Sequence, residues 1–113
     1  MSVDDRLPAH IEVSGLLKLV QGMGGFGTVL QKGERDAGTL VILTSHCGKN
    51  ARMWERMPQM DGTRRFTCTR EQDADSTSEF DEYVARRKRQ DPDCWFVELE
   101  GPDVEQLIDP TLR

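Results

Sequence analysis

Residues that build metal and nucleophilic sites are scarce in this chain, which has two histidines and three cysteines among its 113 residues. Structural zinc sites usually hold ligand pairs about two to four positions apart. No such pair occurs among His10, His46, Cys47, Cys68 and Cys94. The adjacent His46 and Cys47 do not indicate a catalytic dyad either, because neighbouring side chains at a turn usually diverge. We therefore predict no metal, no catalytic residue and no cofactor, and we expect three free thiols.

Long apolar runs are missing as well. None reaches the ~18–20 residues that a membrane span needs, and the first residues, MSVDDRLPAH, lack the apolar segment of an export signal. We therefore expect a cytoplasmic protein that makes no membrane contact. The length of 113 residues predicts one domain, 1–113, in which residues 1–6 are a disordered tail.

Positive charge is in the minority, with 15 Lys and Arg against 20 Asp and Glu and a net charge of -5. This balance argues against a general polyanion binder, although a local basic patch is compatible with it. No phosphate-loop, dinucleotide-binding or nucleophile motif occurs in the chain. One carboxylate, Glu55, alternates with methionines on an apolar face, and we expect Arg64 to pair with it as a structural ion pair rather than a catalytic acid.

The clearest strand signals lie between residues 38 and 69. Residues 40–43 are apolar at both parities, which is typical of a central strand covered on both faces. Residues 51–57 alternate, as a half-buried strand does. The pair Asp61–Gly62 predicts a tight turn into a returning strand over residues 63–69.

Apolar spacing predicts helices over residues 7–23 and 79–90, strands over 26–32 and 94–100, and a short last helix near 104–108. This order predicts an α+β fold with a mainly antiparallel sheet of about five strands. We expect the first four strands to form a meander and the helices to pack on one face. On that face we expect four side chains of the first helix to pack against four side chains of the sheet. The helix would contribute Val13, Leu16, Leu17 and Val20, and the sheet would contribute Val41, Leu43, Met53 and Phe66.

One candidate binding surface follows from the strand pattern. If Arg56 lies opposite Arg65, then Arg52, Trp54, Arg56 and Arg65 share one face of the hairpin, and Trp and Arg are enriched at binding hot spots. The alternative is that Trp54 belongs to the core and the arginines stack over it. The register decides between these arrangements in part, because a slip of one residue moves every side chain of the returning strand to the other face.

Four segments carry a family resemblance: KGERDAG at 32–38, NARM at 50–53, ERMPQMDGTRR at 55–65 and RRKRQDPD at 86–93. With them the chain resembles a family of small, mostly alphaproteobacterial proteins classed as a domain of unknown function. The resemblance extends from about Leu7 to Ile108. It implies a bacterial, stand-alone, single-domain protein, and it brings no functional residues with it.

Three hypotheses for function remain open. The first is a non-enzymatic interaction module that binds a protein partner or a second copy through the Arg52, Trp54, Arg56 and Arg65 surface. The second is nucleic-acid binding by the same surface, with Trp54 stacking on bases and the arginines contacting phosphates, which the acidic total charge disfavours. The third is a small enzyme with an unrecognised site, which requires a cleft.

Overall fold

The computed structural model describes residues 7–109, which form two α-helices, five strands and one 3₁₀ turn. In chain order these are α1 (Ala9–Gly22), β1 (Phe26–Gln31), β2 (Leu40–His46), β3 (Lys49–Pro58), β4 (Arg64–Glu71), α2 (Thr77–Gln90), β5 (Trp95–Glu100) and the 3₁₀ turn (Val104–Leu107). None of the helices in this range is long and apolar enough to cross a membrane. The predicted tail at residues 1–6 lies outside the described residues.

The strands form one sheet in the order β1-β5-β2-β3-β4. All neighbours are antiparallel except β2 and β5, which run parallel. This arrangement confirms the α+β class and the mainly antiparallel sheet of five strands.

The expected four-strand meander is wrong at one position, because β5 lies between β1 and β2. The side chains of β5 explain its central place: Trp95, Phe96, Val97 and Leu99 are buried and cover both parities. β1 carries Gly27, Thr28 and Gln31 and therefore has less apolar surface to bury, so it takes the sheet edge. The connector after β1 passes against the start of β5, where a Cβ at Gly33 would collide with the Asp93 carbonyl oxygen.

The two helices cover opposite faces of the sheet, which corrects the expectation that they share one. Val13 and Val20 of α1 pack with Leu40, Ile42 and Trp54. On the other face, two buried residues of α2 pack against the sheet: Phe80 and Val84 contact a cluster of Val41, Leu43, Met53 and Phe96. Because residues 40–43 are apolar at both parities, both faces of β2 must be covered, and one helix cannot cover both.

The pairing of β3 with β4 differs by one residue from the predicted register. Arg56 lies opposite Phe66, and Met57 lies opposite Arg65. The turn sets this register, since the Asp61 side chain accepts hydrogen bonds from the backbone N–H of Thr63 at 3.0 Å and from its hydroxyl at 2.6 Å. The slip transfers Phe66 to the α1 face, where it packs against the cluster that contains Trp54, and transfers Arg65 to the α2 face.

Candidate functional site

Trp54 is a core residue, with 3% of its surface exposed. Its indole Nε1–H donates a hydrogen bond to the Thr44 hydroxyl at 2.9 Å, and that hydroxyl donates to Glu105 Oε2 at 2.7 Å. Arg52 Nη1 donates to the other oxygen of Glu105 at 3.3 Å. The indole N–H is therefore hydrogen-bonded inside the protein and the ring is buried, so Trp54 has no free face for a partner.

The two arginines beside Trp54 are occupied by internal partners. Arg52 forms ion pairs with Glu105 and with Glu71 at the end of β4. Arg56 forms an ion pair with Glu12 of α1, and its guanidinium lies 4.6 Å from the centre of the Phe66 ring. Both arginines therefore connect elements of the fold, although 40% of the Arg52 side chain stays exposed.

The structure does not bring the four predicted residues to one exposed surface. Trp54 is buried, Arg52 and Arg56 are paired on its face, and Arg65 lies on the other face and is exposed. The prediction of a shared surface was wrong because it relied on a register that the Gln59–Thr63 turn does not allow. Of the four, Arg65 alone keeps an exposed side chain that forms no ion pair within residues 7–109. Hydrogen bonds from Thr63 lower the pKa of the nearby Asp61, and the charge of Arg65 contributes to that lowering.

Arg65 belongs to a strip of arginines along the outer strand, which we call the basic edge: Arg64, Arg65 and Arg70 of β4. None of the three forms an ion pair with a carboxylate among the described residues. The guanidinium of Arg70 stacks over Tyr83 of α2 at 3.8 Å from the ring centre, and that of Arg86 lies 5.5 Å from the same ring. Three unpaired cations thus follow a strand that has a neighbour on one side only.

Sequence reasoning missed Arg70 because a bulge between Met53 and Trp54 changes the parity of the paired strand, so that Arg70 lies opposite Met53. The signal for the basic edge was nevertheless present. Arg64, Arg65 and Arg70 are three cations within one eight-residue strand, and an exposed edge strand places both of its faces near solvent.

Glu55 pairs with Arg87 of α2, which corrects the expectation that it would pair with Arg64. Arg87 Nη2 lies 2.8 Å from Glu55 Oε1, and the Thr69 hydroxyl donates to Oε2 at 2.6 Å. Burial raises the pKa of Glu55, but the hydrogen bonds from Arg87 and Thr69 outweigh it, and the pKa lies below its ordinary value. An ionised carboxylate with two donors ties α2 to the sheet and is not free to transfer a proton.

Among the cavities of residues 7–109, one that an enzyme could use lies at the carboxyl ends of the parallel strands β2 and β5. A cavity of about 390 Å³ lies there, lined by His46, Arg52, Asp103 and Glu105 among others. Arg52 and Glu105 are paired with each other, and Glu105 also accepts the Thr44 hydrogen bond. Within residues 7–109, no group of three His, Cys, Asp or Glu side chains could hold a metal ion.

The comparisons with known proteins identify a family. A family model described as a protein of unknown function (DUF1491) matches residues 7–109. The chain belongs to the DUF1491 family. This confirms the resemblance to a family of unknown function.

Solved structures of similar proteins have the same fold. A crystal structure of a DUF1491 family protein from Caulobacter crescentus CB15 is 30% identical over 88% of this chain and 92% of that one, with a TM-score of 0.73. An NMR structure of a DUF1491 family protein from the same organism is 28% identical over 91% and 93%, also with a TM-score of 0.73. A solution structure of a protein from A. tumefaciens is 26% identical over 91% and 92%, with a TM-score of 0.69. None of the curated proteins matches the chain.

Proposed function

We propose that this DUF1491 chain is a non-enzymatic protein-interaction module of the cytoplasm, which binds an extended, acidic segment of a partner along β4. The observation that supports this proposal is the basic edge. β4 is an outer strand of the sheet, and its three arginines have no ion-pair partner among residues 7–109.

The binding mode is addition of a strand to the sheet. An edge strand presents a row of backbone N–H and C=O groups on its outer side, and an extended peptide can pair with them. β4 spans eight residues, so a partner strand of similar length has enough backbone groups to form a ladder. Backbone pairing provides affinity without sequence preference, and the side chains that flank the ladder select the partner.

Charge complementarity selects an acidic partner rather than a second copy of β4. Two antiparallel copies of this strand would place arginines near arginines, and like charges directly opposite each other in a sheet are destabilising. Asp and Glu at alternate positions of a partner strand would instead meet Arg65 and Arg70, which both lie on the α2 face.

Nucleic-acid binding is the alternative that the same arginines raise. It is less favoured because Trp54, the expected stacking platform, is buried. The net charge of -5 also repels a polyanion at long range. The two partners respond differently to salt, since the affinity of phosphate contacts falls steeply as the salt concentration rises.

The test is a selection from a displayed library of random peptides of about 12 residues, long enough to pair along an edge strand. We expect the enriched peptides to carry Asp or Glu at alternate positions. Their affinity should fall about tenfold or more for the Arg65→Glu, Arg70→Glu double variant, because attraction becomes repulsion at two positions. Lys18→Glu, Lys32→Glu makes an equal total charge change at two exposed side chains outside β4, and this matched control should leave affinity within about twofold.

Three results would contradict the proposal. The first is a selection in which no acidic peptide is enriched. The second is an equal loss of affinity for the Lys18→Glu, Lys32→Glu control, since the effect would then reflect total charge and not β4. The third is a short single-stranded DNA that binds more tightly than any selected peptide and dissociates steeply with salt, which would support the nucleic-acid alternative.

A further inference from the structure

A second surface lies on the opposite side of α2 from the basic edge. On this face of the sheet α2 packs against β2, β3 and Phe96 of β5, whereas Glu98 and Glu100 of β5 and the residues of β1 lie outside that buried cluster. The flank of α2 and the ends of β2 and β5 beside it enclose an open groove of about 530 Å³, which Leu30 of β1 borders on one side and Ala51 of β3 and Gln72 border on the other. We call it the β1–β5 groove; its lining includes Leu30, Leu43, Phe80, Val84 and Glu98.

The floor of the groove is apolar. Leu43, Phe80 and Val84 are buried at its base, and Leu30, which the bulge in β1 adds to the strand, is exposed at its rim. Phe26 lies opposite Glu100 in the pairing of β1 with β5, so it lies on this face of the sheet, and 72% of its surface is exposed. An exposed phenylalanine beside an apolar groove is typical of a protein-interaction site.

The walls of the groove are acidic. Glu98, Glu100 and Asp81 line it, and the one cationic side chain of the lining is that of Lys88. Glu100 accepts a hydrogen bond from the Gly48 backbone N–H at 3.0 Å. Glu98 is half-buried and has no hydrogen bond or ion pair within the described part of the chain.

The environment of Glu98 disfavours its charge. Burial, followed by the nearby Glu100 and Asp81, raises the pKa of this carboxyl above its ordinary value. A cation placed beside Glu98 would offset the unfavourable environment of its charge. Binding a positive ligand should therefore stabilise Glu98 more than it would stabilise an ordinary surface carboxylate.

We propose that the β1–β5 groove binds a segment of a partner protein in which a lysine or arginine is flanked by apolar side chains. The cationic group would lie against Glu98, with Glu100 and Asp81 adding to the attraction. The apolar neighbours would cover Leu30, Phe80 and Phe26. Charge complementarity identifies this partner, because an acidic segment would face three carboxylates and a neutral one would leave Glu98 without a counter-ion.

This site is independent of the basic edge. α2 lies between Glu98 and the arginines of β4, since Phe80, Asp81, Val84 and Lys88 line the groove while Tyr83 lies beneath Arg70 on the other side. The two surfaces come near each other at the start of α2, where Gln72, which follows β4, borders the groove. The two surfaces therefore select opposite charges, and either can exist without the other.

The same peptide library tests the groove. We expect a second enriched class of peptides with Lys or Arg between apolar residues. These peptides should bind the Arg65→Glu, Arg70→Glu variant with the same affinity as wild type, and their affinity for Glu98→Gln should be about tenfold lower. Glu82→Gln is the matched control, because it makes the same change on the exposed side of α2, outside the groove. Phe26→Ser should weaken the same peptides and leave the acidic class unaffected.

A double-mutant cycle separates contact from general charge. Replacing the selected Lys or Arg of the peptide by norleucine should cost about tenfold with wild-type protein and less than about twofold with Glu98→Gln. An equal cost with both proteins, an equal effect of Glu82→Gln, or a selection without basic peptides would overturn the proposal. Since Glu98→Gln removes an unpaired charge, it should fold, and loss of binding cannot then be attributed to unfolding.

Discussion

The two faces of the sheet differ in how completely a helix covers them. On one face, α1 packs across β1 and β5 while Trp54 and Ile42 are buried beside Val13 and Val20. On the other face, α2 covers β2 and β3, and the surfaces on its two sides remain open. The covered face carries the larger buried cluster, and the half-covered face carries Arg65 and Arg70 of the basic edge and the unpaired carboxylate of the groove.

This difference separates stability from binding within one small sheet. Buried apolar area provides most of the free energy of folding, so substitutions on the covered face should destabilise the protein strongly. Charges at the open surfaces contribute little to folding because solvent screens them, so those positions can specialise in partner choice. Substitutions on the two faces should therefore differ in size and in sign.

The largest effect is expected for Trp54→Ala on the covered face. Removing the buried indole should cost about 3–5 kcal/mol of the free energy of unfolding, since it leaves a cavity and removes the hydrogen bond that the Thr44 hydroxyl accepts. Chemical denaturation measures the loss. Trp54→Phe is the control and should cost less, because it retains most of the packing and removes the hydrogen bond. A cost below about 1 kcal/mol for Trp54→Ala would show that the indole is not core.

A smaller effect is expected where α2 meets the sheet. Arg87→Met keeps much of the side-chain stem but leaves Glu55 half-buried without its cation, which should cost about 1–3 kcal/mol near neutral pH. Arg86→Met, an exposed neighbour, is the control. Equal losses for the two variants would indicate that the ion pair does not hold α2.

The cost of Arg87→Met should depend on pH. The pKa of Glu55 is lower in the folded protein than its ordinary value of 4.5, so the ionised carboxylate stabilises the fold above that pH. This contribution is lost as the pH falls through the folded pKa. The difference between wild type and Arg87→Met should therefore shrink in denaturation experiments as the pH is lowered below 4.5, and a constant difference would contradict this account.

In the groove, a substitution is expected to raise the free energy of unfolding instead of lowering it. Glu98→Gln should stabilise the protein by less than about 1 kcal/mol near neutral pH, because it removes a carboxylate whose ionisation the groove disfavours. The pKa of Glu98 is raised from its ordinary value of 4.5, so the destabilisation grows as the pH rises through the folded pKa and is absent in acid. Thermal unfolding across this range measures the gain, with Glu82→Gln as the control. Destabilisation by Glu98→Gln would mean that the carboxylate has a structural partner.

The smallest effect is expected at the basic edge. Arg65→Glu changes an exposed side chain without an ion pair among residues 7–109, so the free energy of unfolding should stay within about 0.5 kcal/mol of wild type. The melting temperature gives the measurement. A loss above about 1 kcal/mol would assign Arg65 a role in the fold and remove the clearest member of the basic edge.

Local patterns in the sequence predicted the elements well. The strand over residues 51–57 lies within β3, and the helix over 79–90 lies within α2, because apolar spacing follows the period of each element. The candidate surface was predicted less well. It depended on which residue of β4 faces Arg56, and a turn that ends one residue later exchanges the two faces.

The sequence by itself determined the class of the fold and the need to cover β2 on both sides, since four consecutive apolar residues cannot leave either face in water. Only the tertiary structure decided that β5 enters between β1 and β2, that α1 and α2 lie on opposite faces, and that Trp54 is buried while Arg65 is not. The physical reason is that element formation depends on neighbours in the chain. Strand order and register depend on burial and hydrogen bonds between residues far apart in sequence, which no local pattern encodes.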